Sequence, residues 1–235
     1  MKKNKIIITI TVMIIVIVSL LFISWVYIGM NGLPWKVKQT EITASKYLSE
    51  KYPDLKYEVN KAHYNSKFGY YSCSIITEGN LPINFAVNVR GTDNIEDNYL
   101  QMKVNTEAKN MVVSLIKNSV PTIKQISVLE DAGAEAVNGS YEKYTSFIPG
   151  SAYPLKIDVL WDGDKMSLDT FVDKSLIVRE ILNDKNISVC GLYIQDDING
   201  YVINLNGRVI NGKMEGNYNL TKDEIMKSKA ADKMK

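Results

Sequence analysis

An uncharged run of 25 residues near the N-terminus constrains this chain more than any other feature of its sequence. The run extends from Ile6 to Met30, and Lys2, Lys3 and Lys5 precede it. As a helix rising 1.5 Å per residue it spans roughly 37 Å, enough to cross a hydrocarbon core of about 30 Å with some tilt. The run therefore predicts a transmembrane helix over 6–30, preceded by a basic cytoplasmic tail over 1–5.

A cleaved signal peptide is the alternative interpretation of this run. Signal peptides have an apolar region of about 7–15 residues and a cleavage site flanked by small residues. Here the run is longer, Ile28-Gly29-Met30 makes a poor cleavage site, and no cysteine near the end of the run offers a lipid attachment. Trp25, Tyr27 and Trp35 are typical of a membrane interface. We therefore expect an uncleaved, single-pass anchor in the cell membrane.

The basic residues around the run predict its orientation. Three lysines before the run favour a cytoplasmic N-terminus, whereas Lys36 and Lys38 after it weaken the asymmetry. A long C-terminal part is translocated largely regardless of its charge. We expect residues 31–235 to be extracytoplasmic.

Composition excludes several classes of function for the part outside the membrane. Residues 31–235 contain 25 basic and 26 acidic residues, so no basic stripe is available to neutralise phosphates, and we expect no nucleic-acid partner. One histidine and two cysteines exclude most zinc sites and any multi-disulfide scaffold. The sequence predicts no metal, no cofactor and no assignable catalytic residue.

The part after the run begins with a helical pattern, continues with strands and closes with a second helical pattern. Pro34 opens the first helix and Pro53 ends it, since proline is favoured in a first turn and excluded from helix interiors. Three strand patterns follow, over 56–64, 68–77 and 83–90. A repeat at the helical period over Leu100–Leu115 predicts an amphipathic helix. One antiparallel sheet with helices on one face satisfies this order, which predicts an α+β domain over 34–119.

A second α+β pattern begins after Val120-Pro121. Strand patterns over 123–129 and 153–161 precede a helical pattern over 167–183, and short strand patterns follow over 187–195, 201–205 and 208–210. Asn-Gly pairs separate or end these short strands and supply the positive φ of tight hairpin turns, which predicts a β-meander. We expect a second antiparallel sheet with helices on one face over 120–220. Thr221-x-x-Glu224 predicts a capping box that opens a short helix in a charged tail over 221–235.

Several short motifs of the first domain are typical of one family. They are Gly32-Leu33-Pro34-Trp35, Tyr47-Leu48, Lys51-Tyr52, Tyr64-Asn65-Ser66-Lys67-Phe68-Gly69-Tyr70-Tyr71, Phe85-Ala86-Val87 and Asp97-Asn98-Tyr99-Leu100. With them the apolar run and residues 32–118 resemble the YfjL-like family, membrane-anchored proteins of Bacillus-type Gram-positive bacteria. The second half is similar to that family's C-terminal domain in element order and length. The resemblance implies an α+β layout and carries no catalytic residue.

Two motifs suggest nucleophilic catalysis, but each lacks its companions. His63 lies in a strand pattern, and a triad or a histidine acid would need partners that no motif supplies. Ser114-Leu115-Ile116-Lys117 matches the Ser-x-x-Lys nucleophile motif, whose Ser-Asp-Asn and Lys-Thr-Gly companions are absent. We expect a structural or exposed histidine and a serine without a catalytic role.

The densest acidic stretch extends from the strand pattern over 153–161 into the helical pattern that follows it. Its acidic residues are Asp158, Asp162, Asp164, Asp169 and Asp173. A calcium loop is excluded because Met166 and Ser167 occupy its third-ligand and glycine positions. Paired carboxylates for glycoside hydrolysis stay open around Asp158, Asp162 and Asp164. The competing interpretation is a turn followed by an acid-rich helix start.

The two cysteines have two interpretations. Outside the cytoplasm Cys73 and Cys190 lie in an oxidising compartment, where a single bridge would join the two domains. Each also shares a strand face with apolar residues, which favours two buried thiols in separate cores.

Tyrosine is unusually common, with 14 tyrosines against 5 phenylalanines. The cluster of Tyr64, Tyr70 and Tyr71 either lines a groove for a sugar or peptide or fills half-buried strand faces.

Two classes of function remain. One is a non-enzymatic, membrane-tethered binding or regulatory module that contacts the membrane and an envelope protein or wall partner. The other is an envelope hydrolase that uses the carboxylates around Asp158, Asp162 and Asp164. The scarce histidine and the incomplete motifs favour the first class.

Overall fold

The computed structural model describes residues 2–91, 94–130, 145–151, 155–161, 165–210, 213–228 and 231–233. Helix α1, Lys2–Asn31, comes first, and its side chains from Ile10 to Met30 are exposed rather than packed against protein. The described residues contain one helical stretch that is long and apolar enough to cross a membrane, and it lies near the N-terminus. The chain divides into two compact units, Met1–Met102 and Lys103–Lys235.

The first unit holds one helix against an antiparallel sheet. Its elements after α1 are α2 (Pro34–Lys51), β1 (Tyr57–Val59), β2 (His63–Asn65), β3 (Tyr70–Thr77), β4 (Asn84–Arg90) and β5 (Asn94–Asp97). The sheet order is β1-β3-β4-β5, with β2 also paired to β3. Strand β4 has the predicted alternation, because Phe85, Val87 and Val89 are buried against the helix face formed by Ala44 and Leu48. This confirms the α+β layout of the first part.

Two details of this sheet differ from the sequence prediction. The single strand expected over 56–64 is two short strands, because the chain leaves the ladder at Ala62, whose N–H donates to Glu41 Oε1 at 3.2 Å instead. Strand β5 was not predicted, since Asn94–Asp97 is short and polar.

The second unit is built around a six-stranded sheet. Its elements are the main part of α3 (Tyr99–Ser119), then β6 (Ile123–Glu130), β7 (Leu155–Trp161), α4 (Leu168–Asp184), β8 (Val189–Asp196), β9 (Tyr201–Ile210), β10 (Lys213–Gly216), α5 (Lys222–Lys227) and β11 (Ala231–Lys233). The sheet order is β10-β9-β8-β7-β6, with β11 also paired to β9. The core lies between the inward sheet face, with residues such as Ile157 and Leu192, and the buried faces of α3 and α4.

The second sheet is mixed, which corrects the prediction of an antiparallel one. Strands β7 and β8 pair in parallel, with Ile157 opposite Leu192. Parallel neighbours need a crossover connection rather than a tight turn, and the helix α4 provides it. The alternating burial of β7 is typical of an antiparallel strand, so its residue pattern did not indicate the parallel pairing.

Strand β9 is one continuous strand, although the prediction broke it at Asn206-Gly207. The ladder is maintained there by a side chain: Asn217 Oδ1 accepts the N–H of Asn206 at 2.5 Å, and Asn217 Nδ2 donates to the carbonyl of Asn204 at 3.1 Å. The predicted Asn199-Gly200 turn is present, with Gly200 at φ 68° between β8 and β9.

The boundary between the units lies earlier than the predicted one after residue 119. It falls within α3, between Met102 and Lys103. The reason is the apolar stripe of this helix, whose buried residues belong to the second core. They are Val104, Ala108, Val112 and Ile116.

The segment predicted as a charged terminal helix or tail over 221–235 lies within the second unit. Thr221 and Glu224 form the predicted capping box of α5, and Ile225 of that helix is fully buried. Arg179 of α4 donates to the carbonyl oxygens of Tyr218 and Leu220 at 2.9 and 2.6 Å. These bonds connect the segment that precedes α5 to α4. Strand β11 then adds to the sheet beside β9.

Candidate functional site

The two nucleophile candidates lie separately on the surface. His63 is exposed on β2, and no described side chain hydrogen-bonds it. Ser114 and Lys117 are exposed on the polar side of α3. The structure thus gives neither residue the close partner that an activated nucleophile or a positioned general base requires.

The acidic stretch is not brought together as one site among the described residues. Asp158 is exposed on β7, and Asp162 and Asp164 lie outside the described residues. Asp169 and Asp173 of α4 pair with Lys222 of α5, at 2.9 and 2.7 Å from its Nζ. These last two carboxylates therefore connect two helices.

Both cysteines are buried, unbridged thiols, each within its own unit. Cys73 belongs to the first core. Burial raises the pKa of Cys73 to about 11, with a smaller contribution from the charge of Glu41. A thiol with a raised pKa is a poor nucleophile at neutral pH, so Cys73 acts as a core residue.

Two of the three clustered tyrosines, Tyr64 and Tyr71, lie where helix α1 ends. Tyr64 and Tyr71 face each other across β2 and β3, with ring centroids 4.9 Å apart, and Tyr71 Oη accepts the N–H of Leu33 at 2.7 Å. A Cβ on Gly32 would approach Tyr71 Oη to 2.6 Å and Tyr64 to 2.7 Å, so glycine is required there. We call Gly32, Leu33, Tyr64 and Tyr71 the anchor junction, because they fix the end of α1 to the sheet.

A buried carboxylate that was not singled out as a site collects the most polar contacts in the first unit. Asp97 closes β5 with its side chain only 2% exposed. Its Oδ2 accepts from Tyr47 Oη at 2.6 Å and from Lys51 Nζ at 2.8 Å, while Oδ1 accepts from Tyr52 Oη at 3.1 Å and from the N–H of Tyr99 at 2.9 Å. We call Asp97, Tyr47, Lys51 and Tyr52 the Asp97 cluster.

The helix α2 positions the donors of this cluster. Tyr47 and Lys51 are four residues apart and so lie on one helix face, and Tyr52 follows at the helix end. The ammonium of Lys51 lies over the rings of Tyr47 and Tyr52, 5.2 and 5.3 Å from their centroids. The sequence signal was the Tyr-x-x-x-Lys-Tyr spacing, but nothing in it indicated that Asp97 would meet those donors.

The second unit presents a polar surface on the outward face of its sheet. Alternate residues of three neighbouring strands line a shallow depression of about 180 Å³ there. Its polar members are Gln125, Ser127, Asp158, Tyr193 and Gln195, which we call the polar face. Asp158 stands opposite Ser127 on one side and Tyr193 on the other in the strand register. These groups are neutral hydrogen-bonding side chains around one carboxylate.

The N-terminal helix, its junction and the first sheet carry the motifs of one family. Residues 3–99 match the YfjL-like N-terminal domain. The match ends in the first turn of α3, close to the division between the two units. The resemblance inferred from the sequence is thereby confirmed for this part of the chain, and the anchor junction and the Asp97 cluster both lie within the matched residues.

Two further comparisons add little. A crystal structure of a DUF5037 family protein from Ruminococcus gnavus is similar over 67% of this chain and 74% of its own, with 16% sequence identity and a TM-score of 0.37. A likeness at that score does not establish a common fold. No curated protein matches the chain.

The surroundings of the Asp97 cluster shift the pKa values of its members away from neutral pH. Burial by itself would raise the pKa of Asp97, but the hydrogen bonds from Lys51 and Tyr47 outweigh it and hold the pKa below its ordinary value. Burial and the charge of Asp97 raise the pKa of Tyr52 to about 12. Burial opposes the charged form of Lys51, yet hydrogen bonds to Asp97 and Tyr47 raise its pKa.

These shifts decide what the cluster does chemically. A general acid or base works best with a pKa near the operating pH, whereas here the carboxylate stays ionised and its partners stay protonated at neutral pH. The four hydrogen bonds to Asp97 described above come from residues 47–99, within the first half of the chain. The cluster therefore connects the end of α2 to the end of β5. In the described residues, no group of three or more His, Cys, Asp or Glu side chains is placed to hold a metal ion.

Proposed function

We propose that the protein is a single-pass, membrane-anchored module at the cell envelope that binds or regulates an envelope protein without side-chain catalysis. In this proposal α1 is an uncleaved anchor, the N-terminus is cytoplasmic and the two units are extracytoplasmic. The observation that carries the proposal is the anchor junction. A Gly32 side chain is excluded by Tyr64 and Tyr71, so the end of the apolar helix is part of the domain fold.

The integration of α1 supports an anchor over a cleaved signal peptide. A signal peptide leaves the mature domain and does not contribute to its packing. Here the N–H of Gly32 continues the helix by donating to Ile28 at 2.8 Å, and the next residue is hydrogen-bonded to the sheet. From Ile10 to Met30 the apolar surface of the helix is exposed and available to lipid.

The polar face supports binding as the activity of the second unit. Amides, a hydroxyl and a tyrosine present donors and acceptors on a strand surface, which suits hydrogen bonding to a polar partner segment. Tyrosine is among the residues that contribute most to protein interfaces, since its ring buries area and its hydroxyl finds a partner. We infer that Tyr193 and Gln195 contact the partner directly.

Photo-crosslinking of the full chain in its native membrane tests this proposal. A photoreactive residue at Tyr193 should crosslink one envelope protein, and the same residue at Lys109, on the exposed side of α3, should not. Crosslinks from Tyr193 to wall glycan would instead identify the partner as the cell wall rather than a protein. Equal products at both positions would contradict a binding role for the polar face.

A hydrolase remains the second candidate because Asp158 lies in the depression of the polar face. Replacing Asp158 with Asn removes its proton chemistry and leaves its size unchanged. In a catalytic role this change costs orders of magnitude in rate, whereas in a binding role it changes affinity only moderately. A cellular phenotype lost in Asp158→Asn at matched protein levels, with the Tyr193 crosslink retained, would favour the hydrolase.

A further inference from the structure

The turn between β2 and β3 carries an exposed group of aromatic and basic side chains with no role in the core. Lys67, Phe68 and Tyr70 belong to this hairpin, and Arg90 reaches it from the end of β4. Phe68 is 60% exposed. We call these four residues the aromatic tip.

The aromatic tip lies beside the end of the apolar helix. Strand β2 contacts α1, and Gly32, the first residue after α1, packs on Tyr64 of that strand. Tyr64 pairs with Tyr71, and Asn65 pairs with Tyr70, so the turn begins one residue beyond the anchor junction. At about 3.3 Å per residue the tip lies within roughly 10 Å of the point where the chain leaves α1.

The tip is a defined structure rather than a loose loop. The N–H of Gly69 donates to the Asn65 carbonyl at 2.8 Å, and Gly69 adopts the φ of 70° that such a turn requires. The rings of Phe68 and Tyr70 stack with an interplanar angle of 16° and centroids 6.0 Å apart. A preformed tip of this kind loses little conformational entropy when it binds a surface.

Its chemistry matches a bilayer surface. Lys67 Nζ lies 5.2 Å from the ring centroid of Phe68, and the Arg90 guanidinium lies 5.0 Å from the ring centroid of Tyr70. A basic side chain therefore lies over each ring. Residues 63–72 and 86–91 contain no carboxylate. Aromatic rings favour the interface between hydrocarbon and water, and basic side chains are attracted to anionic headgroups.

We propose that the aromatic tip inserts among the headgroups of the anionic bilayer that α1 spans, and so holds the first unit against the membrane surface. The inference rests on the proposed anchoring by α1. The same bilayer is the occupant because the tip lies beside the anchor junction, where the chain leaves α1. The rings of Phe68 and Tyr70 enter the interface, and Lys67 and Arg90 pair with lipid phosphates.

The test measures depth on the full chain in nanodiscs that contain phosphatidylglycerol. An environment-sensitive fluorophore is attached to Ser66→Cys, directly before the aromatic tip, or to Asn80→Cys in the turn at the other end of β3, both exposed positions. The native thiols are buried, and the unsubstituted chain measures their background labelling. A third label at Leu21→Cys, within α1, reports on the anchor itself.

Spin-labelled headgroups should quench the fluorophore at Ser66 several-fold more than that at Asn80. Phe68→Ser, or Lys67→Gln with Arg90→Gln, should reduce the quenching at Ser66 towards the Asn80 level. Equal quenching at Ser66 and Asn80 overturns the proposal, and so does quenching at Ser66 that these substitutions leave unchanged. A tip covered by a second copy of the chain would be shielded from lipid-borne and aqueous quenchers alike, which also overturns it.

The Leu21 label separates this proposal from the anchoring on which it rests. Quenching of Leu21 by spin labels on the acyl chains, without quenching of Ser66, rejects the tip and retains the anchor. Absence of quenching at Leu21 rejects both.

Discussion

At the residue scale, Asp97 shows how one buried charge connects two distant parts of a sequence. Asp97→Asn should destabilise the first unit by about 2–3 kcal/mol, because it removes a buried charge partner of Lys51 and weakens the hydrogen bonds of two tyrosines. Hydrogen exchange on the full chain should show loss of protection in β4 and β5 and none in β8. Glu96→Gln, an exposed neighbour on the same strand, is the matched control and should change little.

The same carboxylate predicts a pH dependence. Folding lowers the pKa of Asp97 below its ordinary value of 3.8, so its stabilisation is fully present above that value and is lost as pH falls through the folded pKa. In urea unfolding followed by circular dichroism, the difference between the unsubstituted chain and Asp97→Asn should therefore be constant from pH 5 to 7 and should shrink below about pH 4. A difference that persists undiminished at pH 2.5 would contradict this assignment.

Gly32 is the second residue whose role is sharp enough to test. Gly32→Ala should cost about 1–3 kcal/mol, since alanine must adopt φ 71° and its Cβ must displace Tyr64 and Tyr71. Gly91→Ala has the same φ with nothing within 4 Å, so it measures the backbone strain alone. Comparing the thermal unfolding of the two variants separates the backbone strain from the clash with Tyr64 and Tyr71. An equal loss of stability in both variants would show that this clash contributes nothing.

At the element scale, strand β4 organises the first core. Phe85 is 3% exposed and its ring lies 5.0 Å from that of Tyr99. Phe85→Asp places an unpaired charge in this core and should unfold the first unit at a cost of more than about 4 kcal/mol. Asn84→Asp, on the opposite face of the same strand, should be tolerated. Limited proteolysis of the full chain checks both, and a protected Phe85→Asp variant would contradict the face assignment.

The elements also show where sequence patterns succeed and fail. Strand β4 and helix α4 were predicted because their apolar spacing is long and regular. Strand β11 was missed because its partner strand β9 is distant in the sequence, whereas β9 was divided at Asn206-Gly207 because an Asn-Gly pair is typical of a tight turn. Helix α3 was found but assigned to the wrong core, because periodicity reveals that a face is buried and not what buries it.

At the scale of the whole molecule, the orientation of the chain is open to a direct test. In intact protoplasts an impermeant maleimide should label Ser114→Cys, which is exposed on α3, and should not label Lys3→Cys until the membrane is opened. The expectation follows from the lysines before α1 and the length of the chain after it. Labelling of Lys3→Cys from outside would contradict the predicted orientation. A mature N-terminus near Asn31 would show that the helix is cleaved.

The sequence by itself determined the apolar helix, the α+β class, the order of the main elements and the resemblance of the first half to the YfjL-like family. These features depend on local patterns of the sequence: apolar runs, periodic apolar residues and short motifs. Only the tertiary structure decided that Asp97 meets Tyr47 and Lys51, that β7 and β8 run parallel, and that α3 packs chiefly into the second core. Each of these depends on contacts between residues far apart in the chain, and the free energy of such contacts comes from burial and pairing that no local pattern specifies.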